Sequence, residues 1–321
     1  MNAREQESPL TVVIAGGSGA LGTRLAADLA ARGARPVILT RRVDPTSSFE
    51  QVQWDGRTQG PWVDEITADR RTAVVNLAGR LVDCRPTEAN IADLRASRVA
   101  ATRALVAAAA RRTAPVEAWL QAGTTAIWSD AGDHWCDELT PVPPDLPGVA
   151  ALPQMTGVAR PWEEAVSGAH TERLTVLRTS VVLDRNTPAL NRLVMLTRAF
   201  LGGRVGSGEQ WFSWIHIDDW LAVARAALGL DPEVILPNGV VVASSPNPVR
   251  NRELMASLRR TLHRPWSPPT PAPLLRMGAV LLRTDPALGL TGRRARSRVL
   301  AEAGFEFRHP DLDGALADLL T

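Results

Sequence analysis

The stretch "GGSGALG" at residues 16–22 constrains the fold more than any other part of the chain. It closes an apolar run, "LTVVIAGG" (10–17), and opens a segment of helical spacing, "ALGTRLAADLAARG" (20–33), that stops at a glycine. Strand, glycine turn and helix in that order form the first half of a βαβ unit. Gly16, Gly19 and Gly22 stand at G-x-x-G-x-x-G spacing. The first permits a tight turn, the second lets backbone approach a pyrophosphate, and the third lets helix and strand pack closely. The free N–H groups and positive dipole end of the helix then receive the phosphates. The spacing predicts a dinucleotide site built from Gly16, Ser18, Gly19, Ala20, Leu21 and Gly22.

The strand–helix rhythm continues. "PVILT" (36–40), "FEQVQW" (49–54), "TAVVNLAG" (72–79) and "VEAWLQAG" (116–123) read as further strands, with a long alanine-rich helix over 87–112. This alternation predicts an α/β fold: a Rossmann-like, doubly wound parallel sheet. Beyond it the rhythm loosens. "PVPPDLPG" (141–148) excludes helix and central strand, 159–169 reads as helix, "RLTVLRTSVVL" (173–183) and "EVILPNGVVVA" (233–243) as strands, and 250–263 as helix. The linker 264–273 leads to two C-terminal helices. We therefore expect a dinucleotide-binding domain over 1–175 and a smaller substrate lobe over 176–321, some of it returning to the sheet.

Cofactor choice is legible after the second strand. A site for NAD places an acid there to hold the ribose 2′-hydroxyl. Here "ILTRRV" offers Arg41 and Arg42. Paired guanidinium forks suit a 2′-phosphate, which points to NADP(H). Leu77, Ala78 and Gly79 of "NLAG", with Ala122 on the fifth strand, would line the rest of the cofactor.

Bulk composition excludes more than it assigns. A formal charge of +2 and 45% hydrophobic residues describe an ordinary globular protein, and no run approaches the length of a membrane span. The basic run "RRARSR" (293–298) reads as a solvated helix face, so no nucleic-acid partner is expected. Cys84 and Cys136 read as reduced thiols of a cytoplasmic protein, and the five histidines show no ligand spacing, so no metal is expected. Two absences carry more weight. The chain has no tyrosine, and every one of its 36 basic residues is arginine.

With "GGSGALG", "NLAGR", "CRPTEANIADLRASRVAATRAL", "WLQAGTTAIW", "LRTSVVL", "LGGRVGSGEQWFSWIHIDDW", "NPVRNRELM" and "EAGFEFRHPDL" on the page, the chain resembles an atypical extended short-chain dehydrogenase/reductase. More narrowly it is similar to the "epimerase family", nucleoside-diphosphate-sugar-epimerase-like proteins with a distinctive C-terminal domain. The resemblance runs from residue 12 to about 315. It implies a Rossmann-like sheet, NADP(H) binding and a substrate lobe. Related folds pair through two long helices, here 87–112 and 153–168, which allows a homodimer.

The departures from the family pattern bear on chemistry. Extended relatives place Ser or Thr after the fifth strand and Tyr four residues on; the matching positions are Thr124 and Trp128. The downstream Tyr-x-x-x-Lys slots hold Met155 and Ala159. Tryptophan donates a hydrogen bond but transfers no proton at neutral pH, so the usual relay is missing. Thr124 keeps a hydroxyl, and His134, beside Asp130 and Asp133, is the candidate acid on the following loop. His216 reads as a satisfied core histidine, and Glu163 and Glu164 as solvent-facing. Sugar-nucleotide enzymes read Gln-x-Arg-x-Phe-Ile-His, the arginine gripping the diphosphate; here Gln210 is followed by Trp211 and then Phe212 in the arginine's slot. Trp128, Trp135, Gln210, Trp211 and Phe212 would line a substrate pocket suited to a small apolar or aromatic molecule. The expected activity is NADP(H)-dependent reduction of an imine, enone or carbonyl in a biosynthetic setting. Non-redox cyclisation, dehydration or isomerisation on the same fold, and non-catalytic NADP sensing, are the alternatives.

Overall fold

The computed structural model describes residues 8–143, 155–185, 187–264, 266–281, 283 and 285–321. In chain order the first half comprises β1 (Thr11–Ala15), α1 (Ala20–Ala30), β2 (Arg35–Thr40), β3 (Glu50–Gln53), α2 (Asp64–Thr67), β4 (Thr72–Asn76), α3 (Glu88–Ala109), β5 (Ala118–Thr124), β6 (Trp135–Cys136) and α4 (Thr156–Glu164). The second half adds β7 (Leu174–Thr179), β8 (Val181–Leu183), α5 (Pro188–Arg198), β9 (Trp211–Phe212), β10 (Trp214–His216), α6 (Ile217–Ala227), β11 (Gly239–Ala243), β12 (Val249–Arg250) and α7 (Asn251–Thr261). Then follow α8 (Ala272–Leu281), α9 (Ala287–Leu290), β13 (Arg294–Ala295), α10 (Arg298–Glu302) and α11 (Leu312–Leu320).

Seven strands form one sheet in the order β3-β2-β1-β4-β5-β7-β11, every neighbour parallel. The central strands are buried on both faces, which is why β1 and β4 read as unbroken apolar runs. Val12 and Ile14 of β1 point into a core shared with α1, α6, α7 and α11, while Val13 and Ala15 point into one shared with α2 and α3. On α1, Leu25 and Leu29 are wholly buried. Each such leucine contributes roughly 1.5–3 kcal/mol through removal of its side chain from water. Thr87 caps α3 by accepting the N–H of Asn90.

Several expectations are corrected here. The strand expected over 173–183 is two: the N–H and hydroxyl of Ser180 both donate to the carbonyl of Ala243, turning the chain out of the main sheet so that β8 pairs with β10 instead. The boundary at residue 175 falls inside β7, which sits between β5 and β11. Only Gly239–Ala243 of the run 233–243 is strand, because Pro237 lacks a donor and Gly239 takes φ +120°. Residues 293–298 are not a solvated helix face: Arg294 and Ala295 form β13 beside β6. Among the described residues the C-terminal region holds four helices, not two, the first beginning at Ala272 within the expected linker. Residues 144–148 of the proline-rich stretch lie outside the described residues.

Candidate functional site

The glycine turn is built as its spacing requires. Gly16 has φ +78°, and a Cβ there would lie 2.8 Å from the carbonyl carbon of Leu77, so the turn rests on the backbone leaving β4. A Cβ on Gly22 would lie 2.5 Å from Cα of Gly17, so α1 and the turn touch through bare backbone. Gly19 caps α1 with no side chain on the first-turn amides, and that turn, which includes Ala20 and Leu21, carries no acid. Open donors at the positive end of an 11-residue helix form a cradle for anionic oxygen. The hydroxyl of Thr40, at the end of β2, donates to Ser18 at 3.4 Å and ties the turn to the next strand.

Arg41 and Arg42 leave β2 beside that contact, both exposed. Neither guanidinium is engaged in an ion pair among the described residues. The nearest following acid, Asp44, accepts the hydroxyl and N–H of Thr46, and these bonds hold its carboxyl below the usual range. It closes a turn instead of facing a ribose. At the end of β4, Leu77 donates to the Ala15 carbonyl and Ala78 to Oδ1 of Asn76. Asn76 in turn donates to Thr102 and Gln121, forming a buried polar knot beneath Leu77, Ala78 and Gly79. Arg98 packs against Gly79, stacks over Trp162 at 4.9 Å and donates to the carbonyls of Arg80 and Leu94. Burial pushes its guanidinium down to about 10. Asn76 belongs to the "NLAG" stretch expected beside the cofactor, whereas Arg98, Thr102 and Gln121 are not among the expected site residues. The available signal for Gln121, as for Asn76, was a polar residue inside an apolar strand, present in both "TAVVNLAG" and "VEAWLQAG".

At the end of β5, Ala122 and Thr124 are half-buried on one face and Gly123 lies on the other. The oxygen of Thr124 accepts the N–H of Ala126, capping the short turn Thr125–Trp128 and leaving its own proton free to donate. Trp128 is no pocket wall: it is 3% exposed, packed with Ile127, Cys136, Ala159, Val242 and Ala295, and its N–H is given to the Thr140 carbonyl. Met155 and Ala159, in the relay slots, are likewise buried among apolar neighbours. Burial pushes the Cys136 thiol up to about 11, so it is no nucleophile at neutral pH.

Glu163 corrects the expectation that it faces solvent. It grips Arg178 with both oxygens, at 3.0 and 2.8 Å, behind Gly123, and the guanidinium lies 5.1 Å from the centre of the Trp128 ring. The two side chains are 8% and 13% exposed. A fixed, buried ion pair therefore stands behind the strand end that carries Thr124. Glu164 is exposed, as expected.

The loop candidates separate. His134 is exposed, and no side-chain hydrogen bond, ion pair or ring contact joins it to Thr124 among the described residues. Asp130 accepts the N–H of Gly292, and Asp133 accepts Trp211 and Arg250. Gln210 donates to the carbonyls of Val205 and Gly289 and is structural, and half-buried Phe212 packs on the main core. Trp135 and Trp211 do converge, but their faces are covered by guanidinium groups. Arg294 lies 3.9 Å from one ring centre and 4.3 Å from the other, Arg296 stacks on Trp135 at 4.6 Å, and Arg250 on Trp211 at 4.1 Å. The apolar aromatic pocket expected from these residues is a cation–aromatic ladder instead.

His216 is 1% exposed and caps α6, its Nδ1 accepting the N–H of Asp218. Its Nε2 lies 3.3 Å from Oδ2 of Asp318, so both ring nitrogens face a polar partner, in keeping with the core histidine expected. His309 stacks on it at 3.8 Å, and with Asp218 the three bring ligand atoms within 4.8 Å. Nδ1 as acceptor puts the proton of a neutral ring on Nε2, which argues against metal ligation by that nitrogen. Across α3 and α4 runs a groove of about 700 Å³, lined by Ala92, Ala96, Val99, Val106 and Pro161. No helix among the described residues is long and apolar enough to cross a membrane.

Comparison with known proteins gives consistent matches. Residues 12–147 match the NAD dependent epimerase/dehydratase family, and residues 270–319 a domain of unknown function, DUF1731. The chain is 30% identical to epimerase family protein SDR39U1 of Bos taurus, over 97% of this chain and 100% of that protein. It is 32% identical to epimerase family protein Mb2239 of Mycobacterium bovis, over 95% and 96%. Among solved structures, human epimerase family protein SDR39U1 with NADPH superposes at TM-score 0.81 with 27% identity, covering 97% of this chain and 99% of that one. The nucleoside-diphosphate sugar epimerase from Corynebacterium glutamicum superposes at 0.74 with 27% identity, and this chain spans 58% of it.

Proposed function

Because the chain belongs to the epimerase family, a group built on the NAD-dependent epimerase/dehydratase fold, we propose that it binds NADP(H) and reduces a small metabolite without the Tyr/Lys relay. The observation that carries the cofactor is the exposed pair Arg41 and Arg42, without an ion pair among the described residues, directly after Thr40, whose hydroxyl meets Ser18 of the glycine turn. The human relative crystallised with NADPH supports the same choice. In this reading the amides opening α1 hold the pyrophosphate and Arg41 and Arg42 hold the 2′-phosphate. Leu77, Ala78, Gly79 and Ala122 line the remainder.

When bound, the cofactor supplies a hydride. The chain's own part is to orient and polarise the acceptor. Thr124 offers a hydroxyl proton, and the Arg178–Glu163 pair supplies a fixed dipole behind Gly123. Neither group releases a proton readily at pH 7, so the acceptor should need little acid catalysis. A protonated imine, or an enone that takes its proton from solvent, fits better than a simple ketone.

The buried apolar side chains in the relay slots, Met155 and Ala159, favour one second reading: non-redox cyclisation, dehydration or isomerisation. Calorimetry and absorbance decide. We expect NADPH to bind at least about tenfold more tightly than NADH, and Arg41→Glu with Arg42→Glu to erase the difference. Equal binding of both nucleotides by the unmodified protein would remove the cofactor assignment. Substrate turnover with no loss of reduced-nicotinamide absorbance would favour the second reading. The α3/α4 groove further supports a homodimer, with Val99 and Val106 against the partner copy.

A further inference from the structure

The replacement of the diphosphate-gripping arginine by Phe212 argues, by itself, against an anionic substrate. The fold reverses that conclusion by returning positive charge from another segment. Arg294, on β13, lies between the indoles of Trp135 and Trp211, and Arg250 and Arg296 extend the stack on either side. Three guanidinium groups thus share one ladder.

Among the described residues the indoles and guanidinium groups of the ladder bond one side-chain carboxylate, that of Asp133, through Oδ1 alone. It accepts the N–H of Trp211 at 2.8 Å and Arg250 at 2.6 Å, and these bonds hold it below the usual carboxylate range. Arg294 itself makes no side-chain hydrogen bond or ion pair among the described residues, and its Nε is buried without a partner. A flat guanidinium fixed by two aromatic faces has already lost its rotamer freedom, so a fork-shaped anion meets it at low entropic cost.

The ladder is also tied to the turn that follows β5. Arg293 donates through Nε to the carbonyl of Ser129, the residue closing the turn that Thr124 caps. Ser213 joins the same strand, donating to the Arg293 carbonyl and accepting the N–H of Ala295. The segment carrying Arg294 is thereby held against the loop that leaves β5.

We propose that Arg294, clamped between Trp135 and Trp211, binds an anionic oxygen group of the substrate, a carboxylate or a phosphate. This rests on the reductase reading above and narrows it: the metabolite carries a fixed negative charge at one end and the reducible bond at the other.

The test uses isotope-labelled full-length protein and its indole N–H resonances, assigned through Trp135→Phe and Trp211→Phe. Inorganic phosphate and acetate are titrated in separate arms, against chloride at matched ionic strength. We expect saturable shifts confined to Trp135 and Trp211 with one or both oxyanions, the stronger arm identifying the group. Arg294→Lys, which keeps the charge but loses the planar fork, should weaken the response about tenfold, and Arg294→Met should abolish it. Thermal melts confirm that the variants fold. Equal shifts with chloride, or an undiminished response in Arg294→Met, would overturn the proposal. So would loss of NADPH affinity in that variant, which would assign the ladder to the cofactor. NADPH binding by the unmodified protein is measured in parallel. Intact NADPH binding with no oxyanion response sinks this inference alone; absent NADPH binding sinks the reading beneath it.

Discussion

Glu163 and Arg178 show how much a single buried pair decides. Both side chains lie mostly out of water and satisfy each other through a two-pronged contact. Removing one partner strands the other charge. Glu163→Ala should therefore lower unfolding free energy by about 3–5 kcal/mol in urea titrations, whereas Glu163→Leu with Arg178→Met should recover most of it. A loss no larger than that of a surface substitution would show that water reaches the pair. Neither role was legible beforehand: an acid in "RPWEE" and an arginine in "LRTS" lie on a helix and a strand with no shared periodicity, and only the β5–β7 register, which sets Gly123 beside Arg178, makes the space that Glu163 fills. The same holds for Arg294, whose two indole partners come from separate segments. By contrast the tight turn at Gly16 and the close packing at Gly22 were legible, because local chain geometry dictates them.

At the scale of elements, the β1–α1 junction is the most demanding joint in the fold. Any side chain at Gly22 collides with the backbone of Gly17, and backbone cannot step aside as a flexible side chain can. Gly22→Ala should cost about 1–3 kcal/mol by overpacking and should weaken NADPH binding, while Gly33→Ala, where a Cβ meets nothing but φ is +84°, should cost stability and leave the cofactor alone. Differential melts with and without NADPH separate the two. The inner strands β1, β2, β4 and β5 were foreseen to within a few residues, because burial on both faces writes a largely apolar run. The break at Ser180 was not, since it depends on a carbonyl at Ala243 that no local pattern announces. The four C-terminal helices were undercounted for a related reason: pieces as short as Ala287–Leu290 carry too little periodicity to stand out.

For the whole molecule, the small-residue stripe of α3 beside α4 leaves a surface suited to a second copy. Light scattering should give twice the monomer mass, and Val99→Glu should return a monomer that still binds NADPH; a monomer at high concentration from the outset would dismiss the pairing. The chain's ends are also bound together within one unit. Asp219, in the first turn of α6, accepts the N–H groups of Arg308 and His309, and Leu312, Ala315, Leu316 and Leu319 of α11 belong to the same core as Val12 and Ile14 of β1. During synthesis, then, the earliest strands must wait with one flank unsealed until the ribosome has delivered residues nearly three hundred positions downstream. A premature stop ahead of α11 would leave that flank of the sheet uncovered, a sticky fragment instead of a working half.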